Sequence, residues 1–260
     1  MTLELLSTPA HPVQRLLILN PNTSASVSAR LQAHAQALLA ERGNSAVSVS
    51  LLTASLGASY IASEASFAIA GHAALDAWAR HAAAGGQADA VLLGCFGDPG
   101  VWALREATGL PVIGLAEAAM RSAARMGRFA IVTGGTAWVP MLERLARTLG
   151  LAQALAGVHA VAPSGAALAA DPDAALALLR DACRQASRGA DAVILGGAGL
   201  AGYAKSLAGS MNLPLIDSAS AGIAWLLDEP LADLRSPAAT GEAPGWQGLA
   251  PALQQWLTPG

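Results

Sequence analysis

One thiol at the end of an apolar run is the most reactive group this sequence offers. Residues 89–97 read DAVLLGCFG, and Cys95 follows Val91, Leu92 and Leu93, whose apolar side chains on both faces mark a short buried strand. Asp98, Pro99 and Gly100 come next. Aspartate before proline has the form of a helix start, an N-cap acceptor and then a residue suited to the first helical position. Cys95 is therefore expected at the carboxyl end of a strand, beside a helix N-terminus. Open α/β sheets bind ligands at that end of their strands. The positive end of a helix favours thiolate over thiol, whose unperturbed pKa is about 8.5. Acid–base work by sulfur is the chemistry such a placement suits. The plainer reading is a small buried hydrophobe, the commoner fate of a free cysteine. On the residues alone the two readings stand level.

The stretch recurs without its sulfur. Residues 191–199 read DAVILGGAG, which sets Gly197 at the position of Cys95 and Asp191 at that of Asp89. The parallel continues, with ATGLPVIGLAEAA at 107–119 lying over SMNLPLIDSASAG at 210–222. More weakly, RLLILNPNTSASVSARL at 15–31 lies over RFAIVTGGTAWVPMLERL at 128–145. The chain reads as two copies of one α/β unit, with equivalent strand ends able to face each other across a cleft. Cys95 then stands opposite Gly197.

The elements that must position these residues follow from periodicity and punctuation. Strands are expected at 16–19, 47–52, 91–93, 111–115, 129–132, 158–162, 193–195 and 213–216, each a short Val-, Ile- or Leu-rich run. Asn20 to Ser24 (NPNTS) form the first turn, with Thr23 or Ser24 capping a helix that Gly43 closes. Thr133 to Thr136 form the equivalent turn of the second copy. Helices are expected at 64–84, 99–108, 116–126, 137–149 and 219–228, with Asp171-Pro172 opening another that ends near Arg188. The loop 55–62, with Tyr60 and Ile61, lies near a strand end; it either shapes a substrate pocket or packs on its own lobe. Strands alternating with helices argue for parallel sheets with helices on both faces. The division expected is a first lobe of residues 1–112, completed by 217–260, and a second of 113–216.

Composition narrows the function classes. The 260 residues carry a formal net charge of −3 and only 13% charged residues, with no basic stripe, so nucleic acid is not expected as a partner. The longest uncharged stretch, 148–170, is broken by Gly, Pro, Gln and Ser and makes no membrane span. Two cysteines in different contexts make no disulfide framework, which suits a reducing, cytoplasmic setting. Cys183, in line with Leu176 and Leu179, reads as helix packing. The histidines are scattered and no HExxH or Cys/His pairing is present, so no metal is expected. GGAGLAG is out of register with a dinucleotide fingerprint, although the glycine turns at 94–97, 134–135 and 196–199 can offer backbone N–H groups to an anion. Asp76 and Arg80 read as an i, i+4 helix pair, and Lys205 as a solvated helix lysine rather than a Schiff base.

An NPNT turn, CFGDPG with a following RE, PVIGLAEA, a strand ending in VTGG and a late LG-x-AG turn occur in that order. In this set the chain resembles the hydantoin and allantoin racemases of the aspartate/glutamate racemase superfamily, over roughly residues 15–228. The resemblance implies two pseudo-symmetric α/β lobes, each a four-stranded parallel sheet flanked by helices, with the active site in the cleft between them and no cofactor. It implies a small-molecule substrate, a hydantoin, ureide or amino-acid derivative, and often a homo-oligomer. Two cysteines, one per lobe, work there on a proton at a carbon alpha to a carbonyl, since inversion needs a base and an acid on opposite faces. By resemblance Cys95 is the first-lobe cysteine. Asn20 and Thr23 belong to the turn that approaches the substrate, and Thr133 and Gly134 are its second-lobe counterparts. Backbone at Phe96, Gly97, Gly197 and Ala198 holds the developing negative charge. The departure is at Gly197, where the family has its second cysteine. The arylmalonate decarboxylases of the superfamily also keep one cysteine, that of the other lobe, and protonate an enediolate after carbon dioxide leaves. Three readings follow: a racemase or epimerase using Cys95, a one-cysteine decarboxylase or isomerase, and a catalytically silent binder of a small carboxylate or ureide.

Overall fold

The repeat in the sequence becomes a repeat in topology. A computed structural model of the chain describes residues 13–161, 172–237 and 245–258. In it β1 (Arg15–Asn20), β2 (Ser48–Thr53), β3 (Ala90–Leu93) and β4 (Val112–Gly114) form one parallel sheet in the order β2-β1-β3-β4. The second sheet, β5 (Phe129–Gly134), β6 (Leu155–Val161), β7 (Ala192–Gly196) and β8 (Leu215–Asp217), has the same order, β6-β5-β7-β8. Register repeats too. Leu19 lies beside Leu93 in the first sheet and Thr133 beside Gly196 in the second, so each central strand pair delivers its turns to the same sheet end. The matched aspartates do matched work: Asp89 accepts the N–H groups of Gln14 and Arg15, and Asp191 that of Arg128, each closing the start of a central strand.

Helices cover both sheets. Following the strands of the first sheet are α1 (Ala25–Glu41), α2 (Glu64–Ala83), α3 (Val101–Thr108) and α4 (Leu115–Ala124). Following those of the second are α5 (Trp138–Thr148), α6 (Pro172–Ala186), α7 (Tyr203–Leu207) and α8 (Ser218–Asp228), with α9 (Pro251–Leu257) in the tail. The alternation of strand and helix predicts this, because a parallel neighbour requires a crossover. α4 and α8 leave β4 and β8 directly, pack on each other, and cross to the opposite sheet, α4 mainly against β7 and α8 against β3 and β4. Alanine and glycine there (Ala116, Ala119, Ala219, Gly222) allow that close crossing, and the first three are almost wholly buried. The two lobes thus share one apolar core around the crossing, with Phe129, Leu92, Ile113 and Met120 among its largest members.

Local boundaries correct the sequence reading in two places. The helix after Cys95 begins at Val101, not at 99, and its N-cap is Gly100 in a left-handed conformation with no side-chain cap. Thr133 and Gly134 end β5 rather than form a turn, because their backbones pair with β6 and β7. Of the two caps the sequence offered for the first helix, Thr23 and Ser24, it is Ser24 whose hydroxyl accepts the Val27 N–H. The proposed cap at Asp171 lies outside the described residues. Cys183 is fully buried among Leu179, Ala175 and the second sheet, and burial raises its thiol to about 12. Asp76 and Arg80 form the expected pair at 2.8 Å, and Lys205 reaches Glu41 at the surface. Among the described residues no helix is long and apolar enough to cross a membrane.

Candidate active site

The turns at the carboxyl ends of the central strands meet across the lobes. The Phe96 ring lies over Gly196 of the second lobe, and the Trp138 ring of the second lobe lies over Gly97 of the first. A Cβ at either glycine would collide with the facing ring, so this interlock requires glycine on both sides. In front of it opens a cavity of about 340 Å³. Its floor holds Cys95 and Phe96 from the first lobe, and Gly196, Gly197 and Ala198 from the second. Tyr60 and Ile61 wall it from the 55–62 loop, and the Tyr60 hydroxyl donates to the Gly134 carbonyl at 3.1 Å, tying that loop to the other lobe.

The residues named from sequence divide at this cavity. Cys95, Phe96, Thr133, Gly134, Gly197 and Ala198 line it. Asn20, Thr23 and Gly97 do not. Asn20 is fully buried, its Nδ2 donating to Asn22 Oδ1, the Ser24 carbonyl and Ser28 Oγ. It shapes the NPNT turn from behind. Asn22 is the asparagine at the cavity, with its Oδ1 held by Asn20 and by the Ser24 N–H, leaving its Nδ2 as the free edge. Thr23 is turned to the loop, its N–H bonded to the Ala58 carbonyl. Gly97 sits under Trp138. Trp138 and Arg30 were not legible as site residues, since one comes from the opposite lobe and the other sits on a polar helix face.

Backbone donors at the floor also divide. The Gly97 N–H is taken by the Asp98 carboxylate, and the Gly197 N–H donates to Ser218 Oγ at 3.3 Å. The N–H groups of Phe96 and Ala198 make no hydrogen bond among the described residues, so the free donors stand one residue away from the glycines in each lobe. Gly197 differs from Cys95 in more than its side chain: its φ is +146°, a conformation that L residues rarely adopt.

Asp98 caps a different helix from the one its sequence suggests. It is the one non-glycine residue with positive φ among the described residues, at 60°. That bend turns its carboxylate back to the start of α4, where it accepts the N–H groups of Ala116 at 3.0 Å and Glu117 at 2.7 Å. It fills the space beside Gly114, where a Cβ would fall inside the carboxyl group. Burial lifts its pKa to about 7, against the downward pull of those backbone bonds. The expected depression of the Cys95 thiol is absent. Burial pushes that thiol well above the ordinary range, and the nearby Asp98 charge pushes the same way. No α-helix N-terminus opposes this, since α3 starts beyond Asp98. Removing the charge should bring the thiol down. Asp98→Asn is expected to move the rising limb of any Cys95-dependent pH profile to lower pH. It should also cost about 1–3 kcal/mol for the N–H left facing an amide. A pH–rate profile beside a thermal melt checks both, and an unmoved limb would remove Asp98 from control of the thiol.

Residues 16–226 match the family described as Asp/Glu/hydantoin racemase. A hydantoin racemase of Paenarthrobacter aurescens is 31% identical over 210 residues, 80% of this chain and 87% of that protein. One of Rhizobium meliloti is 32% identical over 209 residues, 79% of this chain and 84% of its own length. In three dimensions, the allantoin racemase from Klebsiella pneumoniae superposes with a TM-score of 0.77 at 29% identity, over 94% of this chain and 99% of that one. The extent of these likenesses, together with the duplicated sheets that meet at the Cys95 cavity, means that the chain belongs to the Asp/Glu/hydantoin racemase family and is a racemase-like enzyme.

Proposed function

We propose that the protein moves the proton on a carbon alpha to a carbonyl in a small hydantoin-, ureide- or amino-acid-type substrate, with the Cys95 sulfur as its acid and base. The observation that carries this reading is the sulfur at the cavity floor, facing a wall of Gly196 to Gly199 that presents no acidic side chain. The thiolate takes the α-proton, and the electron pair of the broken C–H bond moves to the carbonyl oxygen. The free N–H groups of Phe96 and Ala198 are the donors placed to hold that oxygen. The proton returns from Cys95 to the face it left, or from water to the other face. One sulfur therefore makes exchange with retention faster than inversion. The two free, buried cysteines support a reducing, cytoplasmic setting for this chemistry.

Incubation in deuterated water with single enantiomers of substituted hydantoins or of allantoin tests the reading. Deuterium uptake that outruns loss of optical rotation is the expected result; no uptake with any of them would sink it. The raised thiol also fixes the sign of the pH dependence. Thiolate is the scarce form up to and beyond the ordinary thiol pKa. The logarithm of the exchange rate should therefore climb from about pH 6 to about pH 9 without a plateau, less steeply near pH 7, where Asp98 gains the charge that opposes the thiolate.

A second reading rests on the same raised thiol. A sulfur held protonated is suited to donate to an enediolate left by loss of carbon dioxide from a substituted malonate. Carbon dioxide release with a rate flat across that pH range would favour it over exchange. Ligand-induced thermal stabilisation with neither reaction would leave a binder.

A further inference from the structure

Arg30 is the one charged side chain lining the cavity among the described residues. It stands on α1 one turn beyond Ser26 and Val27, which also line the cavity, and α1 packs there against the turn Ala198–Leu200 of the second lobe. Its guanidinium is partly buried and makes no hydrogen bond or ion pair among the described residues. Arg15, Arg42, Arg105, Arg121, Arg125 and Arg144 each meet a carboxylate, and others without one, Arg128, Arg147 and Arg184, are exposed. No aspartate or glutamate lines the cavity; of the buried ones near it, Asp98 is committed to the N-terminus of α4, and Asp217 to the N–H groups of Gly202, Ala219 and Ser220 and to His34. The remaining wall is hydroxyl, amide, glycine or apolar, from Val27, Ile61, Phe96, Trp138 and Leu200 among others. A cation held beside an apolar cavity without a counter-ion is completed by an anionic ligand.

We infer that Arg30 selects substrates whose substituent on the reacting carbon ends in a carboxylate, the guanidinium fork taking that group while Cys95 faces the α-proton. This deepens the reading of the cavity given above and rests on it. Arg30 touches the substrate's far end and not the reacting atoms, so its effect is on which substrate is accepted. The hydantoins of glutamate and of glutamine isolate it, because they differ in one group, an acid against an amide of the same shape.

Deuterium exchange and ligand-induced thermal stabilisation are measured for both hydantoins with wild type, Arg30→Met and Arg30→Lys. Wild type is expected to favour the acid by about tenfold or more in kcat/KM, a ratio that collapses toward one in Arg30→Met. Arg30→Lys, which keeps the charge but loses the fork, should hold an intermediate ratio. An acid-to-amide ratio equal in wild type and Arg30→Met overturns the inference while leaving the proton chemistry of Cys95 intact. Acid-selective stabilisation that vanishes in Arg30→Met, with no exchange of either compound, supports the carboxylate site and removes the reaction. Neither exchange nor stabilisation with either hydantoin overturns both. Melts of the variants without ligand confirm that each is folded.

Discussion

Replacing Cys95 with alanine is expected to cut α-proton exchange by about 10²–10⁴-fold, the range that a positioned acid–base group contributes. Among the described residues the sulfur is the one titratable group on the cavity floor, with Tyr60 and Arg30 on the walls, and Gly197 opposite offers nothing to replace it. Hydroxyls of Ser24, Ser26 and Thr133 line the same space, but an ordinary hydroxyl is far too weak an acid to serve as the base. The loss should appear in kcat more than in KM, because the thiol meets the reacting carbon and not the remote parts of the substrate. The fold should survive: Cys95 is a small buried residue, and alanine removes one atom from a site that already borders a cavity. A variant that melts like wild type and exchanges like wild type would show that the sulfur takes no part. Cys95→Ser serves as the companion, keeping the volume while losing the readier ionisation of sulfur.

Glu117→Ala is expected to cost about 3–5 kcal/mol of stability, since it strips a buried cation of its partner. Glu117 is 1% exposed and Arg105 5%. The Arg105 guanidinium donates to Glu117 Oε2 at 2.6 Å and, through Nε, to the Val112 carbonyl at 2.8 Å. Glu117 Oε1 also accepts from Arg121, whose side chain is largely at the surface and can turn to water. Arg105 has no such escape. For a chain of this size the loss should lower the melting temperature by of the order of 10 °C. The double variant Glu117→Leu with Arg105→Met should recover much of it, because apolar side chains need no counter-charge. A shift of only a degree or two in the single variant would mean that water reaches Arg105. By contrast, the surface pairs Arg42–Asp228, Arg144–Glu64 and Lys205–Glu41 should each be worth little.

The two-sheet repeat was legible because duplication writes the same signal twice, while the strand order within each sheet was not read from it. DAVLLGCFG and DAVILGGAG share a pattern of buried strand, glycine turn and start-of-strand aspartate, and both copies obey it. The placement of Cys95 at a strand end followed from the same pattern. Asp98 was misread because a cap is a local rule, while its partners are 18 and 19 residues further along the chain. Nothing in Asp-Pro-Gly reveals that a φ of 60° turns the carboxylate onto another helix. The thiol's pKa was misread for the same reason, as the expected helix start is displaced and burial takes over. In NPNT the motif pointed to the right turn, but which asparagine faces inward depends on packing of Asn20 against Ser28. Arg30 carried no signal at all, since a helix arginine normally looks outward.

The backbone at Gly197 has a bearing on what could stand opposite Cys95. Its φ of +146° is one that residues with a side chain rarely adopt, although the nearest atom a new Cβ would meet is on Leu200, at 3.4 Å. Room is therefore not what bars a thiol from that side. A single codon change would install a handed residue in a peptide geometry built for none, and the bend would have to re-form, with Ser218 releasing its grip on the amide. Placing a sulfur there is a change of loop shape as well as of letter, and the surrounding turn would have to move with it.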